Sequence, residues 1–411
     1  MWMLLKMASR NLRRNLRRTL ITMAAISGGL ALMLFQDAMG NGSYQEFIRV
    51  GVSTMAGHVV VQADGYLDDP EMETRLADAD AIESTLEREF PDARVVQRAM
   101  VAGLLQSPRN AAGVGVSGIE PSEEREVSDW HEKLVEGEWL GDNPRDIILG
   151  TALAETLEVD LGDKVVLMAQ GPDEVTSRLF RVKGLMRTGA TEADGAFAIA
   201  HIDALTELME APGSAHQVSV HLSDPSRSDA ATAQARRALS STDGLEILSW
   251  QEALPDVVAF IRMDQQSGRV GLLVIGLIVA MGVLNTVLMS VMERIRELGV
   301  MLALGVSPRN VASVVILEGV VLGFLSAAVG AALGLAVILP TSKTGLDFGA
   351  MMGAEIMEVE GVAISTVIYP TPNWPALFTF CVIAWVFTVL SSLWPAVHAA
   401  RLKPVDAMRH I

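Results

Sequence analysis

Residues 271–310 read GLLVIGLIVAMGVLNTVLMSVMERIRELGVMLALGVSPRN, and they decide the fold. The stretch opens as an uncharged apolar run and closes, without a break, as a charged amphipathic one. From Gly271 to Met292 there are 22 residues and no ionisable group. At 1.5 Å per residue a helix of that length covers about 33 Å, enough to cross the apolar core of a bilayer. Glu293, Arg294, Arg296 and Glu297 follow at once and must reach water or lipid headgroups. A short amphipathic piece, Leu298 to Leu304, comes next and is ended by Gly305 and the Ser307-Pro308 break. A helix leaves the membrane, turns, and presents a small helix to something outside it.

Charge and apolarity are segregated along the rest of the chain. Four segments qualify as spans, at about 19–37, 270–292, 311–339 and 375–397. Between them lie one long stretch, 38–269, and two shorter ones, 293–310 and 340–374. Residues 1–18 hold Lys6, Arg10, Arg13, Arg14, Arg17 and Arg18 with no acid, a charge of +6. The 293–310 segment carries +1 and residues 398–411 carry +2, which leaves −26 for the remainder of a chain whose net charge is −17. The positive-inside rule then puts residues 1–18, 293–310 and 398–411 in the cytoplasm and the long acidic stretch outside. Residues 1–18 have the composition of an amphipathic helix in the inner headgroup layer. A cleavable signal peptide is the rival reading, but residues 36–43 offer no convincing small-x-small cleavage site, and three later spans make a retained anchor more natural. A cationic face beside a span on an acidic chain gives no support for nucleic-acid binding. The one cysteine, Cys381, falls inside the fourth span and founds no disulfide framework.

The run MERIRELGVMLALGVS, Met292 to Ser307, resembles the signature of FtsX/MacB-type ABC transporter permeases, the family that includes the lipoprotein-releasing permeases. ASRNLRRNLRRTLIT near the start, Leu149 to Leu167 in the exterior stretch, and Pro395 to Arg409 at the end are similar to other landmarks of that family. The resemblance implies an integral membrane α-helical protein: four transmembrane helices with a large mixed α/β periplasmic domain, residues 38–269, between the first and second. It implies a second, β-rich part inserted there over about 107–215. It also implies that residues 293–310 are the coupling segment that docks on a separate ATPase, with Glu293, Arg294, Arg296, Glu297, Leu298, Gly299, Met301, Leu302, Leu304 and Gly305 as the docking residues.

Residue patterns fill in the exterior stretch. Residues 57–62, 95–106, 163–170, 177–182 and 217–222 have strand character. Ile82, Leu86 and Phe90, spaced by four, mark a helix over 79–90, and 230–239 marks another. Residues 149–167 predict a helix, a turn at Gly162-Asp163 and a strand. Gly113, Gly115 and Gly118 formally match GxGxxG, but Ile119-Glu120-Pro121 follows where a phosphate-binding helix would have to begin, so a strand or turn is the better reading. His58, His131, His201, His216 and His221 are scattered, with no HExxH, CxxC or carboxylate cluster beside them, and are expected to be ordinary surface histidines. His216 and His221, five apart, should point to opposite faces of a strand. No nucleophile elbow is present. No catalytic and no metal site is expected.

Two features mark the third span. Glu318 lies about 10 Å past its entry by helical rise, where an ionisable group should face protein, water or headgroups. The functional reading is a link between the coupling segment and the helix bundle, with proton transfer as a weaker option; snorkelling, or a structural pair with the nearby Arg309, is the alternative. Gly319, Gly323, Ala327 and Ala331 recur every four residues, with Gly330 and Gly334 as a second pair, a spacing that lets helices approach closely within one chain or between two. The apolar residues of 340–374 suit a loop along the outer leaflet. Trp374 and Trp394 suit interfacial anchors.

No GxxxxGK[ST] occurs in these 411 residues, so ATP and Mg²⁺ are expected on a partner ATPase and no cofactor in this chain. The expected assembly has two ATPase copies and a second permease copy, identical or paralogous, in the bacterial inner membrane, surrounded by membrane lipids. Its expected work is mechanotransmission and extraction of lipoproteins, handed to a periplasmic carrier or adaptor. An efflux pump for small toxins or peptides and a membrane-anchored sensor or scaffold are the alternatives.

Overall fold

The computed structural model describes residue 10 and residues 16–171, 174–349, 356–359 and 362–401. Nearly all of the amphipathic helix expected over 1–18, and the tail from 402 on, lie outside the described residues. The chain divides into two units. One gathers residues up to Tyr44, Arg262–Asp347 and the chain from Val367; the other is Gln45–Ile261 with Phe348–Thr366.

Among the described residues, four helices are long and apolar enough to cross a membrane. They are α1 (Leu16–Gly51), α9 (Pro255–Glu293), α11 (Pro308–Thr344) and α12 (Trp374–Ala400). The first two overrun their expected ends: α1 continues past position 37 to Gly51, and α9 begins at Pro255, well ahead of position 270. Polar side chains end a membrane span, but they do not end a helix that finds partners beyond it. In the membrane unit the Tyr44 hydroxyl donates to Asp264 Oδ2 at 2.6 Å. In the other unit Phe47 packs on Phe260 with ring centroids 5.1 Å apart. α11 likewise carries Pro340 within its last turns and stops at Gly345, whose φ of +71° favours glycine. Short ribbons, β11 (Leu346–Asp347) with β14 (Val367–Ile368) and β12 (Ile356–Val359) with β13 (Val362–Ser365), occupy the expected outer loop.

The small residues of α11 work within the chain, on two different neighbours. A Cβ on Gly319 would lie 2.6 Å from Ser392 Oγ, and one on Gly323 would lie 3.0 Å from Thr388 Cβ, both on α12. A Cβ on Gly330 would meet Ser27 O and Leu30 Cδ2 at 3.0 Å, and one on Gly334 would meet Leu34, all on α1. Ala327 joins Leu30, Leu34, Ala38 and Ile338 in the same buried cluster. Hydrogen bonds pin both contacts: Ser27 Oγ donates to Ser326 O at 2.8 Å, and Trp385 Nε1 to Val320 O at 3.2 Å. Gly330→Leu should therefore destabilise the helices by about 1–3 kcal/mol through overpacking. Gly28→Leu, where nothing lies within 4 Å, should not. Thermal unfolding of the two variants in detergent checks this. By contrast, α9 leaves Leu273, Ile278 and Met281 well exposed.

The second unit is built on a ten-stranded sheet in the order β10-β1-β9-β2-β3-β8-β5-β7-β4, with β6 bonded to both β2 and β7. The strands are β1 (Val59–Ala63), β2 (Arg94–Gln106), β3 (Ala111–Ile119), β4 (Leu134–Gly137), β5 (Asp146–Gly150), β6 (Lys164–Gln170), β7 (Val175–Met186), β8 (Phe197–His201), β9 (Gln217–His221) and β10 (Leu245–Ser249). Helices α2 (Ala79–Glu89), α3 (Pro121–Val127), α4 (Thr151–Leu157), α5 (Thr191–Ala196), α6 (Ile202–Leu208), α7 (Ser228–Ala238) and α8 (Trp250–Ala253) pack between and over them. The expected elements all form. Asp78 caps α2 by accepting from Ala81 N, and the turn after α4 passes through Gly162 at φ +86°. One buried core draws on residues 99–209, and a second on 59–95 and 215–239. The chain thus leaves one core and returns to it, and the division falls inside β2, ahead of position 107. The sheet is continuous across it, and the inserted part carries helices α3 to α6 besides its strands.

Gly113, Gly115 and Gly118 lie in β3, inside the sheet, and a Cβ on Gly118 would sit 2.9 Å from Leu205 of α6. Close packing accounts for that glycine, and no phosphate loop exists there. Two of the histidines, however, are buried, while His58, His131 and His221 are half-buried. His216 is fully buried: its Nδ1 accepts from Met100 N at 3.0 Å, and its Nε2 lies 3.2 Å from Met72 O. His201 is buried and caps α6. His58 Nδ1 accepts from Leu222 N, and its ring meets that of His221 edge to face. Short strands flanked by helices bury both faces of the sheet, which alternation alone did not reveal.

Burial holds the His216 imidazole neutral, with its pKa lowered to about 4 and Arg75 pushing the same way. The unfolded chain then takes up a proton near pH 6.5 that the folded chain refuses until about pH 4. The stability this group supplies is complete above pH 6.5 and is lost as pH falls to 4, by about 3 kcal/mol. His216→Asn should flatten the acid limb of thermal stability over that window, as followed by tryptophan fluorescence.

Candidate coupling site

The elbow between α9 and α11 is built from its breaks. α9 ends at Glu293, and Arg294 leaves helical geometry at φ −106°, ψ 9°. α10 (Ile295–Ala303) then closes in a Schellman motif: Val306 N donates to Met301 O at 3.0 Å and Gly305 N to Leu302 O at 3.1 Å. Gly305 supplies the required φ of +89°. Ser307 caps α11 by accepting from Asn310 N, and Pro308 sits where no amide donor is needed.

α10 has two faces. Leu298, 1% exposed, is seated on Val311 and Val315 at the start of α11 and on Ala396 and Ala399 near the end of α12. Met301 and Leu302 are partly buried beside it, and Gly299 is buried. Arg296, Glu297, Val300, Ala303 and Leu304 recur at helical spacing on the exposed side, with Glu293 and Gly305 exposed at either end. Leu304 is 80% exposed and Val300 41%. Of the residues expected to dock, Leu298, Gly299, Met301 and Leu302 therefore face inward. Val300, absent from that group, faces out with Leu304.

Arg294 fastens the elbow to the third membrane helix. Its Nη1 lies 2.9 and 3.1 Å from the two oxygens of Glu318, and its Nε donates to Glu297 at 3.3 Å. Arg294 and Glu318 are 11% and 14% exposed. Glu318 is thus paired to the coupling segment, and Arg309, the nearer arginine in sequence, points to the surface. The signal for this pair was that Glu318 needed a cation and that Arg294, Arg296 and Arg309 all stood upstream of it; no spacing rule chooses among them. Among the described residues no group of three or more histidine, cysteine or acidic side chains is placed to hold a metal.

Among the described residues, four apolar helices, an elbow helix with an exposed apolar edge and a large mixed domain between the first two helices define a multi-span membrane protein with a large inserted domain. Residues 19–238 match the MacB-like periplasmic core domain and residues 269–404 match the FtsX-like permease C-terminal region. The first match alone takes in more than half of the 411 residues, and the chain belongs to the FtsX/MacB-like family of ABC transporter permeases. It is 26% identical over 404 residues to the lipoprotein-releasing system transmembrane protein LolC of Neisseria meningitidis, covering 95% of this chain and 94% of that one. LolC of Xylella fastidiosa is 28% identical over 417 residues, with 97% and 96% covered. The macrolide export ATP-binding/permease protein MacB of Hyphomonas neptunium is 26% identical over 98% of this chain but only 60% of its own length. The chain is an ABC transporter permease of the LolC/MacB type.

Proposed function

We propose that this chain is the permease subunit of a lipoprotein-releasing ABC system, and that a separate ATPase drives it through α10. The observation that carries the reading is end-to-end similarity to LolC proteins, joined to an α10 that exposes Val300 and Leu304 while Arg294–Glu318 ties the same elbow to α11. An exposed apolar edge on a helix locked from behind suits a docking contact that pushes on a membrane helix. The basic residues of 1–18, 293–310 and 398–411 favour a cytoplasmic place for all three and a periplasmic one for the large domain, in the bacterial inner membrane. ATP and Mg²⁺ then belong to the ATPase, present in two copies. The exposed face of α9 is the surface we assign to a second permease, identical or paralogous, or to lipid. Lipoproteins leave the outer leaflet toward a periplasmic carrier.

The match to a macrolide exporter over 98% of this chain keeps efflux as the second reading. Purification of the tagged chain from its native membrane in detergent, with mass spectrometry of what accompanies it, separates the two. An ATPase with lipoproteins or a soluble lipoprotein carrier is the expected result. An adaptor and an outer-membrane channel would move the assignment to efflux, and the absence of any ATPase would leave a scaffold.

A further inference from the structure

The first membrane helix does not simply run out. After Gly51 it passes into a π-helical turn, Val52–Ala56, closed by Gly57 N donating to Val52 O at 2.7 Å. A helix end leaves carbonyls without intrahelical partners, and here buried side chains of the domain take them. Arg98 Nη2 donates to Ser53 O at 2.9 Å and Nη1 to Thr54 O at 3.0 Å, while Gln217 Nε2 donates to Ala56 O at 2.6 Å. Arg98 and Gln217 face each other across β2 and β9, so two neighbouring strands grip one turn.

Arg98 is itself held. Its Nε and Nη2 donate to the two oxygens of Glu124 at 3.1 and 2.7 Å, and the guanidinium carbon lies 5.2 Å from the centre of the Trp130 ring. Arg98 is 0% exposed and Glu124 1%. A buried ion pair is a poor means of gaining stability, since apolar residues of the same volume do as well. What apolar residues cannot do is donate to free helix-end carbonyls. The position also matters: Arg98 stands where β2 exchanges β9 for β3 as its partner, between the two cores of the domain. Ile48, Val52 and Ser53 border an open cleft of about 1220 Å³, faced by Arg94, His221 and Trp250.

We propose that Arg98, oriented by Glu124, is a positioning residue that fixes the end of the first membrane helix to strand β2, so that movement of that helix is delivered to the sheet. The delivery rests on the mechanotransmitting function proposed above; the fixation does not.

The test is the full-length chain carrying R98M/E124M, which removes both charges together and leaves Ser53 O and Thr54 O without donors. Spin labels at Gln45→Cys and Arg237→Cys, in a Cys381→Ser background, report the distance between the helix end and α7. The expected result is a distance distribution at least twice as broad as in the parent. In the complex reconstituted with its ATPase, transport per ATP hydrolysed should fall at least tenfold while hydrolysis itself persists. E124Q, which keeps an acceptor for Arg98, should stay narrow. Should the double variant not fold, Q217M removes the Ala56 donor without disturbing a charge and should broaden the distribution to a lesser degree. An unchanged width overturns the fixation, whatever transport does. A broadened distribution with unchanged transport per ATP overturns the delivery. Failure of the lipoprotein reading would remove transport from the parent as well and leave the distance comparison intact.

Discussion

Replacing Val300 and Leu304 together by serine should abolish coupling while leaving the protein folded. Leu304 is 80% exposed and Val300 41%, so the substitution removes little that the chain buries by itself. Exposed changes of this kind shift stability by about 0.5 kcal/mol or less. A docked ATPase would lose two apolar anchors at the centre of a small contact. Such anchors contribute about 2 kcal/mol or more each, so association should weaken roughly a thousandfold. The ATPase should no longer co-purify with V300S/L304S, and transport should fall at least a hundredfold. Leu298→Ser is the contrasting change. It opens the cluster with Val311, Val315, Ala396 and Ala399, costs about 2–5 kcal/mol, and should lower the yield of folded protein. If V300S/L304S retains its partner and its transport, the exposed edge of α10 is not the docking face.

The sequence carried the membrane architecture because bilayer thickness is a hard constraint: a run without charges from Gly271 to Met292 has few other fates. The elbow was equally legible, since Gly305, Ser307 and Pro308 each impose a backbone conformation locally. What stayed hidden depends on contacts between distant residues. α1 and α9 outrun their apolar segments because Tyr44 finds Asp264 and Phe47 finds Phe260, partners with the whole external domain between them in sequence. The faces of α10 could not be told apart from its own composition, because Leu298 and Leu304 are the same residue type and only Val311, Val315, Ala396 and Ala399 distinguish them. The small residues of α11 announced close approach but not the neighbour; Gly319 meets α12 and Gly330 meets α1. Arg98 left no trace at all. An arginine in an alternating strand gives the expectation of a solvated face, and the helix end that makes it fit lies far earlier in the chain, at Ser53 and Thr54.

Glu318→Ala should impair transport far more than its distance from any reaction centre would suggest. The change leaves Arg294, 11% exposed, without the carboxylate it now reaches through both oxygens. Removing one side of a buried pair costs about 3–5 kcal/mol, most of it from the charge left behind. Two consequences of that cost can be told apart. If the pair only stabilises the fold, E318A lowers the unfolding temperature and the amount of complex, and each surviving complex works normally. If it transmits force from α10 to α11, the surviving complexes hydrolyse ATP and move at least tenfold less substrate per ATP. The exchanged pair R294E/E318R distinguishes them further. It restores an ion pair across the same two positions but places a carboxylate where Arg294 now also reaches Glu297 at 3.3 Å. Two like charges then face each other at the start of α10. Stability should recover in part, while the orientation of α10, and with it the coupling, should not. Full recovery of both would show that any ion pair between the elbow and α11 suffices, and would reduce Arg294–Glu318 to a fastening without a preferred direction.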